Sequence, residues 1–274
     1  MIGLEARRAG EAERVERRGW SGFRGPWTLF EKEVRRFLRV PGQTIVSPVI
    51  TTVLYLVVFG YALGGRLREV NGIPYLSFIV PGLVMLGVIS NAFLNTSSSM
   101  FIMKLQETVV DLLVSPLRYG EIVAAMVGAA SVRALLVGLL TWAVAIVAQG
   151  EVLLVHLGYA IAFPLLTSVG LSALGLFVGI WAEKFEHVNL VPTFVITPLT
   201  FLGGVFYDVG QLPGVFATLS HFNPVLYLVE GFRFGLLGTS AIEPAFSLAG
   251  LVVFDVGLVL LCMGILRSGW KLRS

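Results

Sequence analysis

The sequence predicts an all-α polytopic membrane protein, and two observations lead to that prediction. Of its 274 residues, 56% are hydrophobic and 14% are charged, whereas soluble globular domains average about 45–50% apolar and about 25% charged residues. The chain also contains six stretches that are long and apolar enough to cross a bilayer as helices, which takes about 20 residues each. These predicted spans are 43–64, 76–102, 121–149, 154–182, 188–207 and 245–267.

The lysines and arginines predict how the spans are oriented. With the N-terminus in the cytosol, sixteen basic residues fall on the cytosolic side, and three fall outside, namely Arg66, Arg68 and Arg233. Because basic residues concentrate in cytoplasmic loops, we expect both termini to face the cytosol. Residues 1–24 lack the apolar core of a signal peptide. Glutamates interrupt their positive charge, which favours a solvated tail over a nucleic-acid-binding arm.

Residues 25–41 predict a helix that lies in the cytoplasmic membrane interface. Its apolar residues recur at helical spacing: Trp27, Phe30, Val34, Phe37 and Leu38. An apolar face with Trp and a basic flank is typical of helices that lie on a membrane surface. We therefore expect this helix to contact membrane lipids, and a simple charged anchor for the first span is the alternative.

The connection between the second and third spans, 106–121, carries a compact amphipathic segment. Glu107 and Asp111 are four residues apart and would share one helical face, and Pro116 limits the helix. By the predicted orientation this segment is cytosolic. It is equally compatible with a docking site for a soluble partner and with a linker that rests in the lipid headgroups.

The last external connection, 208–244, is long but apolar, and its apolar stretch is too short to cross the membrane. Such a segment is typical of a re-entrant structure that dips into the outer leaflet, and it would begin near Asn223 and Pro224. Glu230 and Arg233 are three residues apart and would pair on one helical face. A weak surface ion pair fits this pattern at least as well as contact with a substrate.

Two charged residues fall inside predicted spans. Arg133 lies about 12 residues into the third span and Asp255 about 12 residues before the end of the sixth, roughly 18 Å from the inner boundary at 1.5 Å per residue. Because an unpaired charge at that depth costs about 3 kcal/mol or more, we predict that the two neutralise each other. A substrate contact, a water-filled cavity and a protonated Asp255 are the alternatives.

A polar stripe runs along the second span. Asn91, Asn95 and Ser98 recur at helical spacing, and such a stripe faces other helices or water in preference to lipid. Hydrogen bonding between helices is slightly favoured over a translocation path. In the second interpretation, Thr193 and Thr197 of the fifth span would line the same path.

Small residues at four-residue spacing predict close contacts between spans. Gly60 and Gly64 form such a pair in the first span, and Gly175 and Gly179 form one in the fourth. Small residues let two membrane helices approach closely, so these glycines are candidate packing contacts.

Four segments carry a resemblance to a known family. In chain order they are IVPGLVMLGVISNAFLNTSSSMF, LQETVVDLLVSPLRYGEIV, LVPTFVITPLTFLGGVFYDVGQLP and FNPVLYLVEGFRFGLLG. Over residues 25–274 the chain resembles the permease subunit of ABC-2 type exporters, especially an inner-membrane permease subgroup. It is more distantly similar to lipo-oligosaccharide and polysaccharide export permeases.

The resemblance implies a transport subunit of the bacterial cytoplasmic membrane with six spans, an interfacial helix and a re-entrant segment. It implies a second, identical permease subunit and two cytosolic ATPase subunits, which would bind ATP and Mg. An amphipathic, lipid-linked or glycan-like substrate, or a drug, would be moved outward by alternating access. The coupling helix that docks into the ATPase would comprise Glu107, Asp111, Leu112, Leu113, Ser115 and Pro116.

The sequence contains no motif for chemistry of its own. It lacks the G-x-x-x-x-G-K-[ST] loop that cradles nucleotide phosphates, and its single cysteine, Cys262, cannot form an intrachain disulfide. Its histidines are scattered, so we expect no metal site and no bound cofactor in this chain. A secondary transporter or channel is the main rival interpretation, and an intramembrane enzyme is a weaker one.

Overall fold

Helices dominate the described part of this computed structural model, which comprises residues 24–63, 69–151 and 154–272. In chain order the α-helices are α1 (Arg24–Leu38), α2 (Ser47–Tyr55), α3 (Tyr75–Leu105), α4 (Val109–Val114), α5 (Tyr119–Gln149), α6 (Leu157–Trp181), α7 (Phe185–Val191), α8 (Thr197–Leu202), α9 (Gly214–His221), α10 (Pro224–Leu237) and α11 (Pro244–Ser268). Turns of π-helix extend α2 on both sides and join α7 to α8, at Gly42–Val46, Leu56–Leu63 and Pro192–Ile196. The predicted helical, polytopic class is confirmed. Apart from Arg24, the predicted tail 1–24 lies outside the described residues.

Within the described ranges, five helices are long and apolar enough to cross a membrane. They are Gly42–Phe59, Tyr75–Leu105, Tyr119–Gln149, Leu157–Trp181 and Pro244–Ser268. In place of the predicted fifth span, 188–207, the structure has a helical run that begins at Phe185 and ends at Leu202. Gly204, shortly after it, has a left-handed backbone conformation (φ +72°). The first turns of the run carry the polar residues Glu186, His187 and Asn189. This run is more polar than the five helices, so the structure does not reproduce the predicted count of six.

Helix α3 forms the centre of the bundle and packs mainly against α6 and α5. The approach of α6 is closest at two glycines, where an added methyl group would lie 2.4 Å from the Phe93 carbonyl oxygen (Gly175) and 2.7 Å from that of Ser97 (Gly179). Only a residue without a side chain fits so near another backbone. The predicted packing role of Gly175 and Gly179 is confirmed, whereas the side chains around Gly60 and Gly64 lie outside the described part.

One end of the bundle, here called the basic end, gathers helix ends and loops that carry Lys104, Arg118, Lys184 and Arg267. Lys104 Nζ donates to the carbonyl oxygens of Ile180 (2.5 Å) and Ala182 (2.8 Å), which satisfies acceptors left free at the end of α6. Lys271 Nζ lies 2.6 Å from Glu183 Oε1. This hydrogen bond and the lysine charge lower the pKa of Glu183. The end of α3, the connection between α6 and α7 and the segment after α11 are therefore linked by their side chains at the basic end.

At the opposite end a short ribbon pairs β1 (Glu69–Val70) with β2 (Ile73–Pro74) in antiparallel register. The turn residues Asn71 and Gly72 have φ +52° and +79°, as a two-residue hairpin of type I′ requires. Asn71 Nδ2 donates to Asp208 Oδ2 over 2.8 Å. The sequence analysis did not predict this ribbon, although the Asn-Gly pair is a signal for such a hairpin.

The predicted surface ion pair of α10 is wrong in one respect, because the pair is buried. Arg233 and Glu230 are 3% and 4% exposed and form a direct ion pair. Arg233 also donates to the Gly204 carbonyl oxygen over 2.6 Å, and its guanidinium lies 4.1 Å from the ring centre of Phe78. Glu230 Oε2 accepts from the Ala241 backbone N–H over 2.7 Å. The pair thus fixes α10 to the loops on either side of it.

We expect Gly175→Ala to destabilise the protein by about 1–3 kcal/mol, because overpacking at this crossing forces α6 away from α3. Gly257→Ala in α11 is the matched control, since an added methyl group there meets no atom within 4 Å. The measurement is the thermal unfolding midpoint of each variant in detergent. Equal midpoints for the two variants would show that the α3–α6 crossing is not tight.

We expect Glu230→Ala to destabilise the protein by about 3–5 kcal/mol, because it leaves Arg233 as a buried charge without its counter-ion. Glu243→Ala removes a carboxylate that is exposed and should leave the unfolding midpoint unchanged. The same thermal assay checks this prediction. It fails if loss of Glu230 is as harmless as loss of Glu243.

Candidate functional site

Polar side chains on α3 and α5 meet inside the bundle. Arg133 of α5 donates to Asn95 Oδ1 over 3.3 Å and to Asn91 Oδ1 over 3.1 Å. Asn91 and Asn95 are one helical turn apart on α3 and are 6% and 1% exposed. The predicted polar stripe therefore holds an intramembrane arginine, which supports the interpretation of hydrogen bonding between helices.

Helix α1 adds two charged side chains to this group. Arg36 donates to the backbone oxygen of Asn95 over 3.0 Å and to its Oδ1 over 2.9 Å. Glu33 Oε2 accepts from Arg36 Nε (3.0 Å) and from Ser99 Oγ of α3 (2.6 Å). We call the connected residues the polar seam: Glu33, Arg36, Asn91, Asn95, Ser99 and Arg133. The seam joins α1, α3 and α5 through hydrogen bonds from side chains.

The inward face of α1 differs from the predicted one. The helix exists over Arg24–Leu38, close to the predicted 25–41, but it buries Leu29, Glu33 and Phe37 while Trp27 is 58% exposed. It packs along α5. The face that α1 turns toward the bundle is therefore the one that carries Glu33, and not the one that the apolar residues alone predicted. The exposed Trp27 remains available to the membrane surface.

The predicted pairing of Arg133 with Asp255 is wrong. Arg133 is hydrogen-bonded to Asn91 and Asn95, and both carboxylate oxygens of Asp255 are buried without a hydrogen-bond partner in the described chain. Asp255 faces Gly170 of α6, because α11 packs mainly on α6 and only slightly on α5. Arg133 and Asp255 were predicted to lie at a similar depth in the membrane, but they lie on helices that make little contact with each other.

The residues predicted to line a common path do not come together. Asn91 and Asn95 belong to the polar seam, and Ser98 Oγ donates to the Leu94 carbonyl of its own helix over 2.5 Å. Thr193 and Thr197 are exposed on the π-turn and on α8. No hydrogen bond among the described residues joins these two threonines to the seam. Ser99, not Ser98, continues the stripe.

The segment between α3 and α5 contains the short helix α4, and it differs from the predicted amphipathic helix. Glu107 precedes α4 in a left-handed turn with φ +57°. Glu107 and Asp111 therefore do not share one helical face as predicted, although both are exposed. Ser115 Oγ donates to the Leu112 carbonyl over 2.6 Å, and Pro116 follows the end of the helix. Leu113 is half-buried.

This segment presents an exposed surface of mixed character at the basic end. Val109 and Leu112 are buried against neighbouring helices, whereas Leu105, Val110 and Val114 are 72%, 52% and 76% exposed. The exposed carboxylates of Glu107 and Asp111 accompany these apolar side chains. We call residues 105–114 the α4 surface. Exposed apolar groups beside charges are typical of a surface that another protein or the membrane covers.

The residues singled out in the external segment have structural roles. Asn223 caps α10, with its Oδ1 accepting from the Val225 N–H over 3.0 Å and its Nδ2 donating to the Leu199 carbonyl over 2.5 Å. Pro224 occupies the first turn of α10, where its missing N–H costs nothing. Together with the buried Glu230–Arg233 pair, they hold α10 in place.

Sequence reasoning missed Glu33, Arg36 and Ser99 as members of one group. Two signals were present: Glu33 and Arg36 are three residues apart on one helix, and Ser99 follows Asn91 and Asn95 at four-residue spacing. No group of three or more metal-ligating side chains occurs in the described ranges.

The chain matches one known protein family and is similar to two named proteins. Residues 26–237 match the family model for the ABC-2 type transporter. The chain is 42% identical to Inner membrane transport permease YadH of Escherichia coli (strain K12), over 93% of this chain and 98% of that protein. It is 30% identical to Nodulation protein J of Rhizobium leguminosarum bv. trifolii, over 82% of this chain and 86% of that protein. These likenesses confirm the resemblance seen in the four segments.

We expect Asn95→Ala to destabilise the protein by about 1–3 kcal/mol, because Arg36 and Arg133 both lose a buried acceptor. Ser98→Ala, on the same helix, removes a hydroxyl that bonds only to its own helix and should change little. Thermal unfolding in detergent compares the two. If both alanine variants unfold at the wild-type midpoint, the seam does not stabilise the bundle.

Proposed function

Because this chain belongs to the ABC-2 type transporter family and is a multi-pass inner-membrane transport permease, we propose that it is the transmembrane subunit of an ATP-driven exporter. In this proposal two copies of a separate ATPase subunit bind ATP and Mg in the cytosol, and a second, identical permease completes the complex. The α4 surface is the observation that carries the proposal.

The proposal places the basic end in the cytosol, with both termini there. The excess of Lys and Arg at that end supports this orientation. In this proposal the chain crosses the membrane six times, and the additional membrane-spanning segment is the run from Phe185 to Leu202. Its 18 residues extend about 27 Å at 1.5 Å per residue, close to the roughly 30 Å of the hydrocarbon layer. The short helices α9 and α10 then form a re-entrant segment on the outer side.

The α4 surface is well placed to receive force from an ATPase. It connects the ends of α3 and α5, two helices of 31 residues each. Its buried side chains, Val109 and Leu112, pack into the same hydrophobic cluster as residues of α1, α5 and α6. A push on this surface therefore acts on packed helices, and a two-state change biased by nucleotide would reach the membrane interior through them.

The polar seam extends this connection into the bundle. Arg36 ties α1 to Asn95, and Arg133 ties α5 to the same residue, so α1, α3 and α5 are expected to move together. The transported molecule is proposed to be amphipathic, lipid-linked or glycan-like, or a drug, and alternating access would move it outward.

The test is ATP hydrolysis by the purified permease with a candidate ATPase. We expect Glu107→Arg/Asp111→Arg to lower complex formation and ATP turnover about tenfold or more, because reversed charges repel the partner surface that accepted them. Glu151→Arg/Glu243→Arg makes the same charge change on exposed residues at the opposite end and should leave both quantities unchanged.

Two results would contradict the proposal. If no ATPase associates with the wild-type permease, an ATP-independent secondary transporter or channel becomes the better interpretation. If the complex forms but Glu107→Arg/Asp111→Arg hydrolyses ATP like the control variant, the α4 surface is a linker and coupling occurs elsewhere.

A further inference from the structure

A cavity of about 1050 Å³ opens at the basic end, between α1, the last turns of α3, the α4 segment and the start of α5. We call it the α1–α4 cavity. Its apolar wall includes Leu29, Met103 and Leu112. Its volume is at the upper limit of the roughly 300–1,000 Å³ that small-molecule sites have. The polar seam forms its deep wall through Glu33, Arg36 and Ser99.

The charged residues that line the cavity are balanced in sign. Three are basic and three are acidic: Lys32, Arg36, Arg118, Glu33, Asp111 and Glu121. The lining as a whole is therefore neutral. A purely anionic or a purely cationic ligand would give the filled cavity a net charge, whereas a zwitterion would not. The lining therefore suits a molecule that carries both charges.

Two of these groups have unused hydrogen-bonding capacity. Glu33 is 2% exposed, and its buried Oε1 accepts no hydrogen bond from the residues that the structure describes. The Lys32 ammonium lies 4.0 Å from it. Buried carboxylate oxygens normally have a donor. The side chain of Lys32 is 58% exposed, and within the described ranges its ammonium donates only to Met103 Sδ over 3.7 Å, a weak acceptor.

We propose that the α1–α4 cavity binds the headgroup of a zwitterionic aminophospholipid from the adjacent leaflet. The primary ammonium donates to Glu33 Oε1, and the phosphate contacts Lys32 and Arg36. The glycerol and first methylenes lie against Leu29 and Met103. A primary ammonium has the N–H donors that Glu33 Oε1 lacks, whereas a quaternary ammonium has none. The inference goes beyond the proposed function, because it requires neither an ATPase nor transport.

The test is native mass spectrometry of the permease in detergent with added phosphatidylethanolamine, phosphatidylcholine or phosphatidylglycerol of identical acyl chains. We expect phosphatidylethanolamine to bind about tenfold more tightly than the other two, as a charge-assisted hydrogen bond would give. Lys32→Gln and Glu33→Gln should each weaken its binding about tenfold. Lys32 is exposed, and Gln at position 33 still accepts from Ser99, so both variants are expected to fold.

Matched controls lie on the same helix. Glu31→Gln and Arg35→Gln change the ion pair on its other side, and neither residue lines the cavity, so both should bind phosphatidylethanolamine like wild type. Equal binding of the three lipids, or equal binding by Lys32→Gln, Glu33→Gln and the controls, would overturn the proposal.

Discussion

The contact between α1, α3 and α5 depends most on one set of interactions, the hydrogen bonds that give the charged side chains of Arg36 and Arg133 acceptors inside the protein. Asn95 is where these interactions meet. Its side-chain oxygen accepts from Arg36 of α1 and from Arg133 of α5, and its own helix α3 lies at the centre of the bundle. Without the seam, Arg133 would be an intramembrane cation with no acceptor from α3. Hydrogen bonds from two helices therefore converge on a single residue of a third.

This junction changes how α1 is understood. A helix lying on a membrane surface by its apolar face would be free to slide, but α1 inserts Glu33 and Arg36 into the bundle and exposes Trp27. It is therefore held to α3 by hydrogen bonds and to α5 by packing. In the proposed exporter, α1 is part of the moving unit and not a lipid anchor alone. The same insertion creates the deep wall of the α1–α4 cavity.

The sequence was sufficient for the class, the family and most helix bounds; α5 was predicted over 121–149 and spans Tyr119–Gln149. It was insufficient for partners. Hydrophobic periodicity identifies which residues share a face, but not which helix meets that face, so Arg133 was assigned to Asp255 although α11 packs mainly against α6. Periodicity also assumes a regular helix. Glu107 has a left-handed backbone conformation, so it does not share a helical face with Asp111 as expected. The Gly175–Gly179 contact was predictable because its signal is local.

The two ends of the bundle differ in how their charged groups are used. At the end that bears α10, Arg233 is enclosed by Glu230, the Gly204 carbonyl and the Phe78 ring, which leaves little room for rearrangement. At the basic end, Glu33 lines a cavity and has an oxygen that no described residue donates to, and the α4 surface keeps apolar side chains exposed. Unsatisfied groups can gain partners at little structural cost, whereas a buried ion pair must be broken first. Ligand and partner binding are therefore expected at the basic end, with the α10 end serving as the more rigid support.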